Sequence, residues 1–453
     1  MAADLDASRV QRRRLTAAYA PAVLRRTSAL VCAALLVSGC SGGPGGPDEP
    51  SSSTPATGSA STPAVDDDEI TESDFEAVAA LLEKRAKALL RGDRRAFLTT
   101  LDPGNRRLRR TQERLFDNVQ ALPVDKLYYG FTNTGLVPAE VRGDDPTMRP
   151  PVHEHLELSG VFAAPVANQV SMTFVERGDR WLLGHEDVDE TFEAQVRPWF
   201  GVPIEAAGDA DLLVLTDRGA DVGAEELLGS TREALAEAAD VLDEDADRPL
   251  LVDATSNGLT FELSNASGEE AAAVSYTVGA KDRAGEEFRA LAGSVVKANP
   301  TDVDALVDND TTLRHELTHF LLDGYGDSNP QWVTEGIAEY VGYAPGLLRD
   351  SVARDDRLPR LIARRDVELT PSGLWGNDPR LDYLTAHAFA EHLITTDGLD
   401  RYREMMDVFK RRARTTPIVF GEGIVDEVLR QVYGVGSREV ARAGFALLEG
   451  LSD

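Results

Sequence analysis

The sequence predicts an α+β fold, on three observations. Apolar residues recur at helical spacing ahead of the first strand-like runs, so helices precede a meander. A second set of short apolar runs, broken by one long helical stretch, follows in the middle of the chain. From there to the C-terminus the pattern is mainly helical. Two globular parts are expected, residues 70–190 and 200–453, behind residues 1–39 and 40–69, whose compositions differ from both.

Taking the elements in order, Arg25-Arg26 precedes a short apolar run, Ser28–Val37, that ends in Val37-Ser38-Gly39-Cys40. A basic start, about ten apolar residues and small residues before a cleavage point describe a secretory signal. Cys after Ser-Gly resembles a lipobox, which implies that Cys40 is diacylated and becomes the mature N-terminus. Residues 1–22 are long for such a leader, which places the expected translation start near Val23. The only other cysteine is Cys32, inside the signal, so the exported chain would hold no disulfide. The run is too short to span a bilayer comfortably, and no later one is longer. Residues 41–65 are a Gly/Pro/Ser/Thr tether that cannot form a core.

Phe75, Val78, Leu81, Leu82, Ala86 and Leu89 line one side of a helix over Phe75–Leu90, which Gly92-Asp93 breaks. Further helices are expected over Phe97–Leu101 and Asn105–Val119. Strands follow at Leu127–Thr132, His155–Val161, Gln169–Glu176 and Arg180–His185, the last two joined at Gly178-Asp179 as a hairpin. This order resembles the NTF2-like cone fold, with Leu90–Phe97 near its first helix and Trp181-Leu-Leu-Gly near its end. His153 and His155 flank Glu154 and share a strand face, where exposed positions are expected of them. Asp189–Gly208 reads as the join between the parts. Then come strands at Leu212–Thr216, Leu250–Asp253, Leu259–Leu263, Ala272–Val278 and Phe288–Val296, with a helix over Ala224–Leu242. Helices over Tyr383–Thr395, Arg401–Arg412 and Gly423–Tyr433 complete the chain, with Met405, Met406, Val408 and Phe409 as core.

The chemistry concentrates in His315-Glu316-Leu317-Thr318-His319 and Trp332-Val333-Thr334-Glu335-Gly336-Ile337-Ala338-Glu339-Tyr340. Asp308-Asn309-Asp310 offers caps, Leu313, Leu317, Phe320 and Leu321 form an apolar stripe, and Asp323-Gly324 is a stop signal. The motif therefore lies on a helix, where histidines four apart project from one face and can share a zinc ion. Glu316 lies beside the open metal position. Glu335 and Glu339 are both candidates for the third ligand, four apart on a second helix entered at Pro330. We assign Glu335 to the metal and Glu339 to the free N–H of a zinc-bound imidazole.

These two segments resemble the gluzincin metallopeptidases, in particular the peptidase MA-like families. In that group the Glu before Gly-x-Ala is the third zinc ligand, matching Glu335, and an acid one turn later orients a histidine, matching Glu339. The resemblance covers roughly residues 308–343 and implies a thermolysin-like domain, a small mixed sheet on the motif helix with a helical lobe beyond a cleft. It implies zinc-activated water, Glu316 as general base and proton shuttle, and a donor for the oxyanion. Tyr383 and His387 are both candidates for that donor. A substrate peptide would pair with an edge strand, for which Arg289–Pro300 is the expected segment. Aminopeptidases similar to this family carry an acidic Gly-x-Met-Glu-Asn there, whereas this chain has Gly293-Ser294-Val295-Val296-Lys297, which favours internal peptide bonds.

Net charge is −30, and residues 1–39 hold six arginines against Asp4 and Asp6, so their removal leaves −34. That acidity argues against nucleic acid and against close contact with anionic headgroups. The expected membrane attachment is the lipid at Cys40 alone. A surface-anchored zinc peptidase acting on a protein or peptide is the leading reading. A non-catalytic ligand-binding lipoprotein with a relic peptidase domain and a zinc amidase on a cell-wall component are the alternatives. Oligomeric state is not legible from sequence.

Overall fold

The computed structural model describes residues 70–131, 146–188, 197–209, 211–257, 272–285, 287–322, 328–344, 348–349, 379–413 and 423–452. The fold mixes helix and sheet, as expected of an α+β chain. Cys40, the signal and tether, strand Leu259–Leu263 and the Asp323-Gly324 stop lie outside these residues.

Helices α1 (Glu72–Leu90), α2 (Arg94–Leu98) and α3 (Arg106–Gln120) come first. Val78, Leu82, Ala86 and Leu89 are buried on the predicted face of α1. α2 starts three residues earlier than the apolar spacing predicts, because the Asp93 carboxylate accepts the Ala96 N–H at 2.9 Å and caps it there. Leu101 has left the helix for a parallel bridge to Leu183.

Strands β1 (Val124–Phe131), β2 (Thr147–Met148), β3 (Val152–Leu158), β4 (Val166–Arg177) and β5 (Arg180–Val188) form the expected meander. β4 and β5 turn at Gly178, whose φ of +68° suits a residue without a Cβ. Then follow β6 (Ile204–Gly208), β7 (Leu212–Asp217), α4 (Ala224–Leu242), β8 (Leu250–Ala254), β9 (Ala273–Lys281) and β10 (Phe288–Ala298). The expected join over Asp189–Gly208 is instead core where it is described: β6 pairs with β7, and Arg197 and Trp199 are fully buried. α5 (Val303–Asp308), α6 (Thr311–Leu321), α7 (Gln331–Tyr343), α8 (Pro379–Asp397), α9 (Leu399–Ala413), α10 (Ile424–Tyr433) and α11 (Ser437–Ser452) complete the described chain.

All ten strands join one sheet, in the order β1-β3-β4-β9-β10-β8-β7-β6, with β2 and β5 also on β4. β7, β8 and the second half of β10 run parallel and are buried on both faces, which is why Leu212–Leu215, Leu250–Val252 and Val295-Val296 are apolar without alternation. Leu212, Val214, Leu250, Val252 and Val296 face α4, α6 and α7. Their alternates Leu213, Leu215, Leu251 and Val295 face the core of α1–α3 and β1–β5. One set of strands thus walls two cores.

The N-terminal core encloses paired charges. Arg197 grips Glu154 bidentately at 2.9 and 3.0 Å, and the Trp199 indole N–H donates to the same carboxylate at 2.9 Å. Arg85 donates to Glu186 at 2.8 Å, as does Gln112 at 3.0 Å, and Arg197 reaches Glu186 as well. Burial alone would raise the Glu154 carboxyl, but the Arg197 charge holds it below its usual range. On the other face of β3, His153 and His155 are buried, against the expectation of exposure. The β9–β10 turn covers them. His155 stacks on Tyr128 with ring centres 4.6 Å apart, its Nε2 lies 3.2 Å from the Arg283 carbonyl, and Gly285 lies directly over the His153 ring.

Candidate metal centre

α6 brings His315, Glu316 and His319 to the sheet, with Leu313, Leu317 and Phe320 buried beneath. Asp310 is its N-cap residue but makes no side-chain cap; its carboxylate accepts Arg314 at 3.0 Å instead. Arg314 also donates to the Ala344 carbonyl at 2.7 Å and to Glu237 on α4 at 3.0 Å, tying α6 to the end of α7 and to α4. α7 starts at Pro330 as expected and buries Trp332 and Ile337.

Two glycines let these helices close. A Cβ on Gly342 would stand 2.9 Å from the Thr311 carbonyl, and one on Gly336 would stand 2.5 Å from the Ala386 carbonyl on α8. Backbone contact therefore sets how deeply Glu335 and Glu339 reach towards α6.

The result is a small triangle. His315 Nε2 and His319 Nε2 are 3.2 Å apart, and Glu335 Oε2 lies 3.2 Å from the first and 3.3 Å from the second. Ligand atoms about 2.0–2.1 Å from a common tetrahedral centre are separated by about 3.3 Å, so this donor set fits zinc in both chemistry and size. Among the described residues it is the one group of three or more such side chains able to hold a metal ion. Glu339 Oε1 accepts His315 Nδ1–H at 3.0 Å, which fixes the ring with Nε2 towards the triangle.

No family model, curated protein or solved structure matches this chain. The centre stands on its geometry and charge. Burial disfavours a charged His315, but Glu335 and Glu339 overcome that and raise its pKa well above the usual value. Burial likewise opposes ionisation of Glu335, yet His319 and His315 hold its carboxyl well below the usual range. Buried carboxylates that draw a proton onto His315 mark a place where positive charge is favoured. Burial pushes Glu316 up, with His315, His319 and the Ser275 backbone N–H acting against it.

Ser275 was not among the residues predicted from sequence; it lies on β9, whose place beside α6 depends on the whole sheet. The expected edge strand, Arg289–Pro300, is corrected here. Over Ser294–Lys297, the part that leads to the motif helix, β10 is interior, paired to β9 on one side and β8 on the other. β9 pairs with β10 along its length, and on its other side, among the described residues, only Val166 meets Ala280. Among the described residues, the unpaired edge beside the centre belongs to β9.

Of the two oxyanion candidates, Tyr383 comes to the centre, its ring 6.0 Å from that of His315. Burial, reinforced by the charges of Glu335 and Glu316, raises its phenol pKa and keeps it protonated. His387 packs instead against Tyr340 and Tyr343, with Glu391 3.5 Å from its Nε2, and burial lowers its pKa to about 4.

Proposed function

We propose that this chain is a zinc-dependent metallopeptidase that hydrolyses internal peptide bonds of extracytoplasmic proteins or peptides, anchored at the cell surface through acylated Cys40. The observation that carries the reading is the triangle of His315, His319 and Glu335 with Glu316 beside it. Its setting supports a thermolysin-like architecture: a sheet whose β9 edge is unpaired among the described residues, packed on α6, and a helical lobe of α7–α11 beyond it. The helices α1–α3 on β1–β5 support an NTF2-like cone in front.

Zinc held by His315, His319 and Glu335 would act as a Lewis acid that acidifies water and polarises a carbonyl. Glu316 takes the proton of the attacking water and delivers it to the leaving amine; its raised pKa suits a group that must do both. The Tyr383 hydroxyl, kept protonated, donates to the oxyanion as the carbonyl turns tetrahedral. Glu339 keeps His315 in the ligating tautomer. A substrate strand adds to β9 through backbone hydrogen bonds that read no sequence. Residues 273–281 of β9 carry no Asp or Glu that could hold a free amine, which favours an endopeptidase.

A ligand-binding lipoprotein would need room in the N-terminal core, where Arg85, Arg197, Glu154, Glu186 and Trp199 stand. Among the described residues no helix is long and apolar enough to cross a membrane. The test is cleavage of a peptide library by the purified protein, with and without chelator, beside a panel of cell-wall amides. Glu316→Gln should retain one zinc per chain and lose hydrolysis by at least about a hundredfold. Full activity in that variant would refute the mechanism, and cleavage of the wall amides alone would make the protein an amidase.

A further inference from the structure

Backbone pairing along β9 reads no sequence, so a preference among substrates has to come from side chains beside that strand. The β9–β10 hairpin supplies two. Phe288 and Leu291 are 62% and 59% exposed, the highest values of any large apolar side chain among the described residues. They stand together. Leu291 is the cross-strand partner of Gly279, and the Phe288 ring lies over that glycine, 2.7 Å from where a Cβ would stand. With no side chain at Gly279, nothing on β9 screens the ring from the strand's outer edge. A solvated sheet face ordinarily carries polar side chains, so paired apolar ones held out in water mark a contact.

The register places this pair on the same sheet face as the metal centre. Val296 belongs to the core beneath α6 and is the partner of Ser275, so Ser275 faces α6. Thr277 and Gly279 follow on that face by the two-residue repeat, while Val278 and Ala280 between and beyond them belong to the N-terminal core. From Ser275, whose N–H bonds Glu316, to Gly279 is four residues, about 13 Å along the strand. Among the described residues the outer edge of β9 is unpaired up to Gly279 and closes at Ala280, where Val166 pairs. A peptide strand added there with its scissile bond at the metal therefore ends beside Gly279. Its side chain on the α6 face meets the Phe288 ring across that glycine, with Leu291 behind.

We propose that Phe288 and Leu291 form a distal subsite, which selects peptide substrates carrying a large apolar side chain about four residues from the bond that is cut. This rests on the reading of the chain as a zinc endopeptidase whose β9 receives the substrate. The metal centre supplies the chemistry, and the distal pair chooses which segments are presented to it. A second copy of the chain is the rival occupant of the patch. Two side chains offer far too little area for that, since a stable interface covers roughly 800 Å² on each partner. A single substrate side chain is the size of guest that they fit.

The test is a series of twelve-residue peptides that share one cleavable bond, with Leu or Ser placed in turn at each position on either side of it. At the position about four residues away, on one side of the bond, the parent should show a kcat/KM about tenfold higher for Leu than for Ser. Combining Phe288→Ser with Leu291→Ser should bring that ratio to about one, and Phe288→Leu should keep most of it. Both ratios are taken on one enzyme preparation, so any partial unfolding of a variant cancels. No Leu preference at that position, or one that survives the double Ser variant, would overturn the subsite and leave the peptidase reading standing. Cleavage of no peptide at all would overturn both. A parent that sediments as a dimer, with the double Ser variant a monomer, would overturn the proposal in favour of self-association.

Discussion

Glu339 reaches the candidate metal centre through a single hydrogen bond, the 3.0 Å contact to His315 Nδ1. Replacing it with Gln keeps an acceptor but removes the charge that holds the imidazole in place. Glu339→Gln should therefore weaken zinc affinity about 10- to 100-fold, read by competition with a chromogenic chelator. An unchanged affinity would show that packing alone orients the ring. The residues of this centre were legible in the sequence because their relations are local. His315 and His319 are one turn apart, as are Glu335 and Glu339, so helix periodicity alone places each pair. Ser275 and Arg314 were not legible, because what they touch comes from other elements: α6 for Ser275, and Ala344 and Glu237 for Arg314. His153 and His155 escaped for the same reason, since the turn that buries them lies some 130 residues further on.

At the scale of elements, that covering turn makes a prediction about pH. Burial lowers the pKa of His155 from 6.5 to about 4, against the opposing effect of the Arg283 backbone carbonyl beside its ring. Tyr128 stacks on it, and His153 and Glu154 flank it on β3. The folded chain binds fewer protons here than the unfolded chain between these two values, so stability is lost as pH falls through that window. His387, lowered to about 4, contributes with the same sign. The melting temperature should drop on acidification from neutral pH, and His155→Phe should flatten part of that slope. An identical slope in the variant would show that the turn does not sense this ring. Most helices and strands were legible from periodicity, and Ala224–Leu242 matches to the residue. The role of β10 was misread because an apolar strand just upstream of the motif looks the same whether it is an edge or an interior strand. Only pairing to β8 and β9 separates the two cases.

At the scale of the molecule, the sheet crosses the expected boundary between the two parts, and both cores use opposite faces of β7, β8 and β10. Truncating Leu251, fully buried on the N-terminal side of that wall, should cost about 2–5 kcal/mol. Unfolding should remain one transition, with Trp199 in one core and Trp332 in the other reporting the same midpoint. Two separated transitions, with Leu251→Ala shifting only one, would refute the shared wall. The boundary looked plausible because Asp189–Gly208 lies between two sets of strand-like runs, but that order does not reveal which strands carry two apolar faces. The wall also bears on truncation. A gene fragment encoding either part alone would leave Leu213, Leu215, Leu251 and Val295, or the residues they cover, open to water and to one another. Neither part closes its own core without the other, so removing either should destabilise both.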